Sequence, residues 1–143
     1  MSDLGSVVFY TIERAIKTYR QFAQRRLVAA GSTLTVDQWL VLNVLEAEPG
    51  IQQGLVAARV FKDKASIARM VDLLVQAELV ERKVPANDRR SVSLGLTRKG
   101  RRQVAEVATI VEDYRKQALR GVKAGEVAAL RSTLNRIMAN CDE

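Results

Sequence analysis

A basic helical segment followed by two strand-like stretches around a polar tip is the feature that most constrains the fold of this chain. Residues 63–78 have the pattern of a compact basic helix, and residues 79–84 and 91–96 have the pattern of short strands. The tip between these strands contains Asp88, Arg89 and Arg90. A helix fits the major groove of DNA, and a basic hairpin tip fits the flanking backbone and minor groove. The segment therefore predicts a winged helix-turn-helix.

The charge distribution supports this prediction. The chain has a formal net charge of +7, and residues 62–102 contain 11 Lys and Arg against 5 Asp and Glu. In the stretches on either side, positive and negative charges nearly cancel. A localised excess of positive charge is typical of a surface that binds a polyanion.

Residue types that most enzymes and metal sites need are scarce. The 143 residues include no His, and Cys141 is the single cysteine. An intrachain disulfide is therefore excluded, and zinc sites and most acid–base or nucleophilic schemes are disfavoured. We find no Ser/His/Asp, paired-carboxylate or phosphate-loop arrangement. The sequence predicts a protein that is not an enzyme, with no catalytic residue, metal or cofactor.

The first twenty residues include Asp3, Glu13, Arg14 and Lys17 and lack a long apolar run, so no signal peptide is expected. No stretch approaches the roughly 20 apolar residues that cross a bilayer. We therefore expect a cytoplasmic protein without a membrane partner. Its composition, 48% hydrophobic and 27% charged, is typical of one globular domain.

Apolar stripes at helical spacing occupy both ends of the chain. One stripe predicts a long first helix over residues 3–30, and others predict helices after Thr97 and after an interruption at 121–125. Such stripes leave more apolar surface than a small core can cover, which favours a homodimer. We predict a mainly α fold with a small β-hairpin wing, in which a winged helix-turn-helix core at 34–102 is flanked by dimerisation helices at 1–33 and 103–143.

Two segments give the chain a resemblance to the MarR family of bacterial transcription regulators. One runs from Lys62-Asp63-Lys64-Ala65-Ser66 through Asp72 into Leu79-Val80-Glu81-Arg82, and the other from Asp88-Arg89-Arg90 to Leu96-Thr97-Arg98-Lys99-Gly100. The resemblance implies one MarR-like domain over 1–143, an obligate dimer, a reading helix at 63–77 and a wing at 85–90. It also implies that DNA binding is relieved by a small aromatic or lipophilic anion or, in one subgroup, by thiol oxidation.

The chain departs from the family in two places. The oxidation-sensing subgroup has its reactive Cys in the first helix, where this chain has none. Phe61 and Lys62 precede the reading helix, where many members have a small and an aliphatic residue. The register between the third and fourth helices is therefore expected to differ slightly.

The candidate DNA-binding residues divide by the contact that each side chain can make. Arg69 can bind guanine bidentately, while Ser66, Lys64 and Ala65 can contact a phosphate, a base or a thymine methyl. We interpret Arg90 as a minor-groove residue that Asp88 orients. The expected phosphate contacts are Lys62, Arg82, Lys83, Arg89 and Arg98. The alternatives are a solvated helix face and an ordinary turn at Asn87-Asp88.

A ligand cleft is expected between the dimer helices and the winged core. Its candidate residues are Tyr10, Arg14, Tyr19 and Trp39. The alternative is ordinary core packing, because aromatic side chains anchor the cores of most helical proteins. Cys141, near a helix end and beside two acidic residues, is not expected to sense redox state.

The leading functional hypothesis is a dimeric regulator that binds a pseudo-palindromic operator in double-stranded DNA, with a small effector as a further partner. The alternative is a winged-helix interaction module whose basic face docks an acidic protein. A shape-reading RNA binder is disfavoured, because only 5% of the residues are aromatic and most of these fall on apolar stripes.

Overall fold

The computed structural model describes residues 3–88 and 91–143. In these ranges the chain forms six α-helices and one two-stranded antiparallel sheet, after a 3-10 turn at Leu4–Ser6. The helices are α1 (Val8–Ala29), α2 (Val36–Ala47), α3 (Gln53–Arg59), α4 (Lys64–Gln76), α5 (Arg98–Ala118) and α6 (Ala124–Cys141), and the strands are β1 (Val80–Lys83) and β2 (Ser93–Leu96). The predicted mainly helical fold with a small hairpin is confirmed.

Three helices begin where a short polar side chain can accept a hydrogen bond from the first turn. The Thr35 hydroxyl accepts from the Gln38 N–H at 3.1 Å, and the Gln38 side chain accepts from the Thr35 N–H at 3.0 Å. Asp63 and Thr97 accept in the same way from the N–H three residues later, at 2.7 and 2.9 Å. Such caps satisfy N–H groups that a helix start leaves without a partner.

The core lies around α2, which contacts α1, α3, α5 and β2. Its largest fully buried side chains are Leu27, Leu42, Leu45, Ile67, Leu74 and Leu94. On one side of this core α1 packs against α5, where the buried Tyr114 ring meets Tyr19 and Phe22 edge-on, with centroids 6.0 and 6.4 Å apart. Burial of apolar side chains at these contacts fixes the position of both terminal helices against the core.

The hairpin is attached to the core along the free edge of β2 and at the residue before β1. β1 and β2 pair in register from Val80 with Leu96 to Lys83 with Ser93, and Leu94 also exchanges backbone hydrogen bonds with the α2–α3 loop. The start of α5 lies against the backbone of Leu79: a Cβ on Gly100 would stand 2.1 Å from the Leu79 carbonyl oxygen. Glycine is therefore required at position 100 for this approach.

Three boundaries differ from the sequence expectation. The first helix is interrupted before Val8, because the Ser6 N–H and hydroxyl both donate to the Asp3 carbonyl and close a separate turn. The break at 121–125 ends earlier than predicted, since the Lys123 N–H is capped by Glu126 and α6 already includes Gly125. The helix expected over 63–78 already ends at Gln76, and Ala77 is its exposed C-cap.

The terminal helices leave apolar side chains uncovered. α6 buries none of its residues, and Leu130 and Met138 are each 58% exposed. On α1, Phe9 and Ile16 are similarly exposed. In the described part of the chain, no helix is both long and apolar enough to cross a membrane.

Candidate nucleic-acid interface

The first turn of α4 carries a linked set of polar side chains. The Asp63 carboxylate accepts from the Ser66 N–H at 2.7 Å and from the Ser66 hydroxyl at 2.9 Å. These two hydrogen bonds, the backbone one first, hold the pKa of the exposed Asp63 carboxyl below its usual value. Arg69 Nη2 donates to the Ser66 hydroxyl at 3.3 Å. The guanidinium is therefore held at the exposed face of the helix, beside the exposed Ala65.

Lys64 extends from α4 across α3. Its Cε lies over Gly54, where an added Cβ would stand 3.7 Å away. The side chain remains exposed, as does that of Arg69. α3 and α4 therefore present their polar side chains on one continuous surface, which is the arrangement of a helix-turn-helix.

Two residues expected to contact phosphate are engaged in ion pairs. The Arg82 Nη2 lies 2.5 Å from Asp72 Oδ1, and its Nε donates to the Gln53 side chain at 3.2 Å. Lys62 Nζ lies 3.4 Å from Asp37 Oδ2. Arg82 therefore connects β1 to α3 and α4, and Lys62 fixes the α3–α4 turn to the start of α2.

Asp37 also binds Arg20 of α1 through its other carboxylate oxygen. One acidic side chain thus contacts two basic ones, from the first helix and from the turn before α4. The sequence gives no signal for this cluster, because its members lie 17 or more positions apart along the chain.

The wing carries the remaining expected DNA contacts. Lys83 is exposed at the end of β1, and Arg98 is exposed at the start of α5. Asp88 organises the turn between the strands: its N–H donates to the Pro85 carbonyl, and its carboxylate accepts from the Ser91 hydroxyl at 2.8 Å. Arg89 and Arg90 lie outside the described residues.

Basic residues beside this surface have structural partners that sequence reasoning did not anticipate. Lys99 Nζ donates to the Ala77 carbonyl at the end of α4, at 3.1 Å, and Arg101 Nη1 donates to the Leu96 carbonyl at 3.2 Å. A cation at a helix C-terminus is favoured by the helix dipole and by the free carbonyls there. Both cations therefore stabilise the junction of α4, β2 and α5.

The four expected ligand residues do not share one cavity in a single chain. Trp39 lines a cavity of about 560 Å³ between α2 and α5, together with Asn43, Glu112, Arg115 and Lys116. Arg14 and Tyr19 line a separate cleft of about 700 Å³ between α1 and α5. Tyr10 is partly exposed near the start of α1 and is not among the lining residues of either space.

The α2–α5 cavity places one basic side chain, Arg115, beside an indole ring, while its other two lining charges, Lys116 and Glu112, pair with each other at 3.5 Å. The buried Trp39 Nε1–H finds no acceptor among the described residues. The Arg115 guanidinium stands over the same indole, 5.7 Å from the ring centroid. A buried N–H without a partner is unfavourable.

No group of three or more His, Cys, Asp or Glu able to hold a metal occurs in the part of the chain that the structure describes. The fold and the basic face define a winged helix-turn-helix protein. A sequence profile of the MarR family matches residues 32–91, from the residues just before α2 to the residues just before β2. Over this segment the chain is similar to the MarR family.

Solved structures cover the whole fold. A protein of unknown function from Listeria innocua Clip11262 is 30% identical over 93% of this chain and 91% of its own, with a TM-score of 0.72. The PcaV transcriptional regulator from Streptomyces coelicolor, solved with its natural ligand, is 26% identical over 100% and 99%, with a TM-score of 0.83. A mutant MarR from E. coli, solved with operator DNA, shares the fold at 24% identity over 95% and 99%, with a TM-score of 0.84.

Proposed function

We propose that the protein is a dimeric, sequence-specific DNA-binding repressor. A small lipophilic or aromatic anion would relieve its binding to the operator. The observation that carries this proposal is the Asp63–Ser66–Arg69 arrangement on the exposed face of α4, within the segment that holds most of the net positive charge. The MarR mutant of the same fold was solved with operator DNA. We assign 34–102 to DNA binding and 1–33 and 103–143 to dimerisation.

α4 is the proposed reading helix. Arg69 would bind guanine through two parallel hydrogen bonds, and Ser66 would hold the guanidinium ready for this contact. Ala65 would meet a thymine methyl, and Lys64 a phosphate at the edge of the groove. Lys83, Arg89 and Arg98 would contact phosphates, and Arg90, oriented by Asp88, would enter a narrow minor groove.

Lys62 and Arg82 have a different place in this proposal. Both were expected to contact phosphate, and each already has a carboxylate partner. Their first role would be to fix the turn before α4 and the base of the wing. A phosphate contact would require each of them to share or exchange its partner.

The exposed apolar faces of α1 and α6 support the dimer. Phe9, Ile16, Leu130 and Met138 would be covered by the same faces of a second copy across a two-fold axis. Two reading helices related by that axis would face successive major grooves. The operator half-sites would then lie on the order of 10 base pairs apart.

The effector site would be the α2–α5 cavity. PcaV, which has the same fold, was solved with its natural ligand. A carboxylate would bind the Arg115 guanidinium, with its apolar part against the apolar wall beside Trp39. Asp37 of α2 pairs with Lys62 in the turn before α4. A ligand in this cavity would therefore contact the helix to which that turn is attached.

Selection of bound sites from random duplex DNA tests the function. We expect a pseudo-palindromic sequence, and a binding constant that falls steeply with salt in proportion to the phosphates contacted. Acidic proteins bound in preference to any duplex would instead support the interaction-module alternative. Binding to every duplex with equal affinity would contradict a sequence-specific role.

A further inference from the structure

Phe61, in the turn between α3 and α4, combines two unfavourable features. Its φ is +61°, in the left-handed region where glycine is usual, and its side chain is 92% exposed. Phe61 follows directly after Val60, the C-cap of α3. The turn is closed by a hydrogen bond from the Lys62 N–H to the Ala57 carbonyl, at 3.0 Å. Glycine is the residue that this type of helix end favours.

The exposed ring gains nothing from the core that would offset the backbone strain. Strained residues persist chiefly at positions where a function requires the side chain. The turn is also fixed in place, because the neighbouring Lys62 is paired with Asp37. The structure thus holds a large apolar ring in solvent at a defined position.

That position adjoins the end of α4 that would enter the DNA. Asp63, the N-cap, is two residues after Phe61, and the exposed Lys64 begins the helix. The ring lies beside the exposed Lys64, in the segment that holds most of the net positive charge, so its surroundings suit a nucleic acid better than an apolar face of a second copy. Phenylalanine is among the side chains that make apolar contact with thymine methyl groups in the major groove.

We propose that Phe61 is a specificity-determining residue that contacts a thymine methyl group of the operator. The inference rests on the proposed function, because it requires that α4 enters the major groove. It assigns a sequence-reading role to a residue outside the helix and without charge. The ring would be covered on binding, so an apolar contact would form only in the complex.

The test replaces Phe61 with glycine in the full-length protein. We expect Phe61→Gly to raise Tm by about 2–4 °C, because glycine adopts the left-handed conformation without strain. We expect the same change to weaken binding to the selected duplex about tenfold and binding to a scrambled duplex far less. The salt dependence should stay that of the wild type, since no phosphate contact is lost.

Glu78→Gly is the matched control. Glu78 is the other described non-glycine residue with a positive φ, +63°, at the end of α4. We expect Glu78→Gly to show a similar gain in Tm without weaker DNA binding. Loss of the Glu78 carboxylate removes a negative charge, which can only favour binding to a polyanion. A drop in operator binding in Phe61→Gly alone therefore belongs to the ring.

Replacing each operator thymine with deoxyuracil identifies the methyl group. We expect deoxyuracil at one position to weaken operator binding by the wild type and to leave operator binding by Phe61→Gly unchanged. Unaltered operator binding by Phe61→Gly, or equal loss on operator and scrambled duplexes, would overturn the inference while the proposed function stands. Failure of the wild type to prefer any duplex would remove both.

Discussion

The hydroxyl of Ser66 contacts two neighbours at once, since it donates to Asp63 and accepts from Arg69. The sequence placed Asp63, a good N-cap residue type, at the start of this helix, and Ser66 and Arg69 among its candidate DNA contacts. It could not predict that Ser66 would face the cap. At this scale the sequence indicates which side chains are exposed, and the structure shows which of them hold one another.

We expect Arg69 and Arg90 to contribute differently to DNA binding. A bidentate base contact is worth roughly 1–3 kcal/mol of discrimination, so Arg69→Ala should weaken operator binding about tenfold or more and scrambled DNA much less. Arg90→Ala should weaken both duplexes and lower the salt slope by about one. Arg131→Ala removes the same charge from α6 and serves as the control.

Titrations of each variant at two salt concentrations separate the two effects. Equal losses on both duplexes for Arg69→Ala would show that this residue does not specify sequence. Wild-type binding by Arg90→Ala would leave the wing with a structural role only.

The α2–α5 cavity makes Trp39 a direct probe, because it is the only tryptophan. We expect its fluorescence to change when an aromatic carboxylic acid binds and the same acid to release operator DNA. Arg115→Gln should weaken this binding about tenfold by removing a charged hydrogen bond. Arg14→Gln, in the separate α1–α5 cleft, should not. The reverse pattern would place the effector in the cleft instead.

Helix starts and the hairpin were predictable from local sequence, whereas the packing between elements was not. Thr35, Asp63 and Thr97 cap their helices through residues three positions later, so a short window of sequence contains the whole interaction. The need for Gly100 arises from the backbone of Leu79, far away along the chain. Such contacts follow only from the three-dimensional arrangement.

Gly100→Ala should lower the free energy of unfolding by about 1–3 kcal/mol or more, because the new methyl group meets a backbone carbonyl that cannot rotate away. Gly125→Ala, in α6, is the control with the opposite sign. Its Cβ meets nothing within 4 Å, and alanine favours a helix by about 0.5–1 kcal/mol over glycine. Urea denaturation measures both, and a neutral Gly100→Ala would contradict the close approach of α5 to the Leu79 backbone.

The contact between α1 and α5 should be sensitive to alkaline pH. Burial first, and then the nearby Tyr19, raises the pKa of Tyr114 from 10.0 to about 12. The unfolded chain therefore loses this proton first as the pH rises. The stability due to the raised pKa is complete below pH 10 and is lost between pH 10 and 12.

We expect the unfolding free energy of the wild type to fall by about 2–3 kcal/mol more over this range than that of Tyr114→Phe, at about 1.4 kcal/mol per pKa unit. The phenylalanine variant keeps the ring and removes the ionisable group. Parallel pH curves for the two proteins would show that the phenol is not protected by folding.

For the whole molecule, the apolar periodicity of the terminal helices led to the proposed dimer and also showed the limit of sequence reasoning. A stripe shows that a face must be covered, but not whether the chain itself covers it. The structure distinguishes the two cases, since Leu27 and Val107 are buried against the core whereas Leu130 and Met138 stay exposed.

We expect Leu130→Glu and Met138→Glu to weaken dimerisation and operator binding together. Both side chains are exposed in the single chain, so its fold should survive, whereas a charge in a two-fold apolar interface costs association energy. Sedimentation across a concentration series measures the effect, with circular dichroism as the check on folding. A monomeric wild type at micromolar concentration would contradict the dimer.

The ion pairs of Lys62 and Arg82 change how many cations the free protein can offer to DNA. Asp37 and Asp72 already neutralise these two side chains, so a phosphate must compete with an internal carboxylate before it gains either of them. Each exchange releases fewer bound counter-ions than a contact with an unpaired lysine. The number of phosphate contacts derived from the salt dependence of binding should therefore be smaller than the 11 Lys and Arg of residues 62–102 suggest. Part of the positive charge of this segment holds the DNA-binding domain in shape.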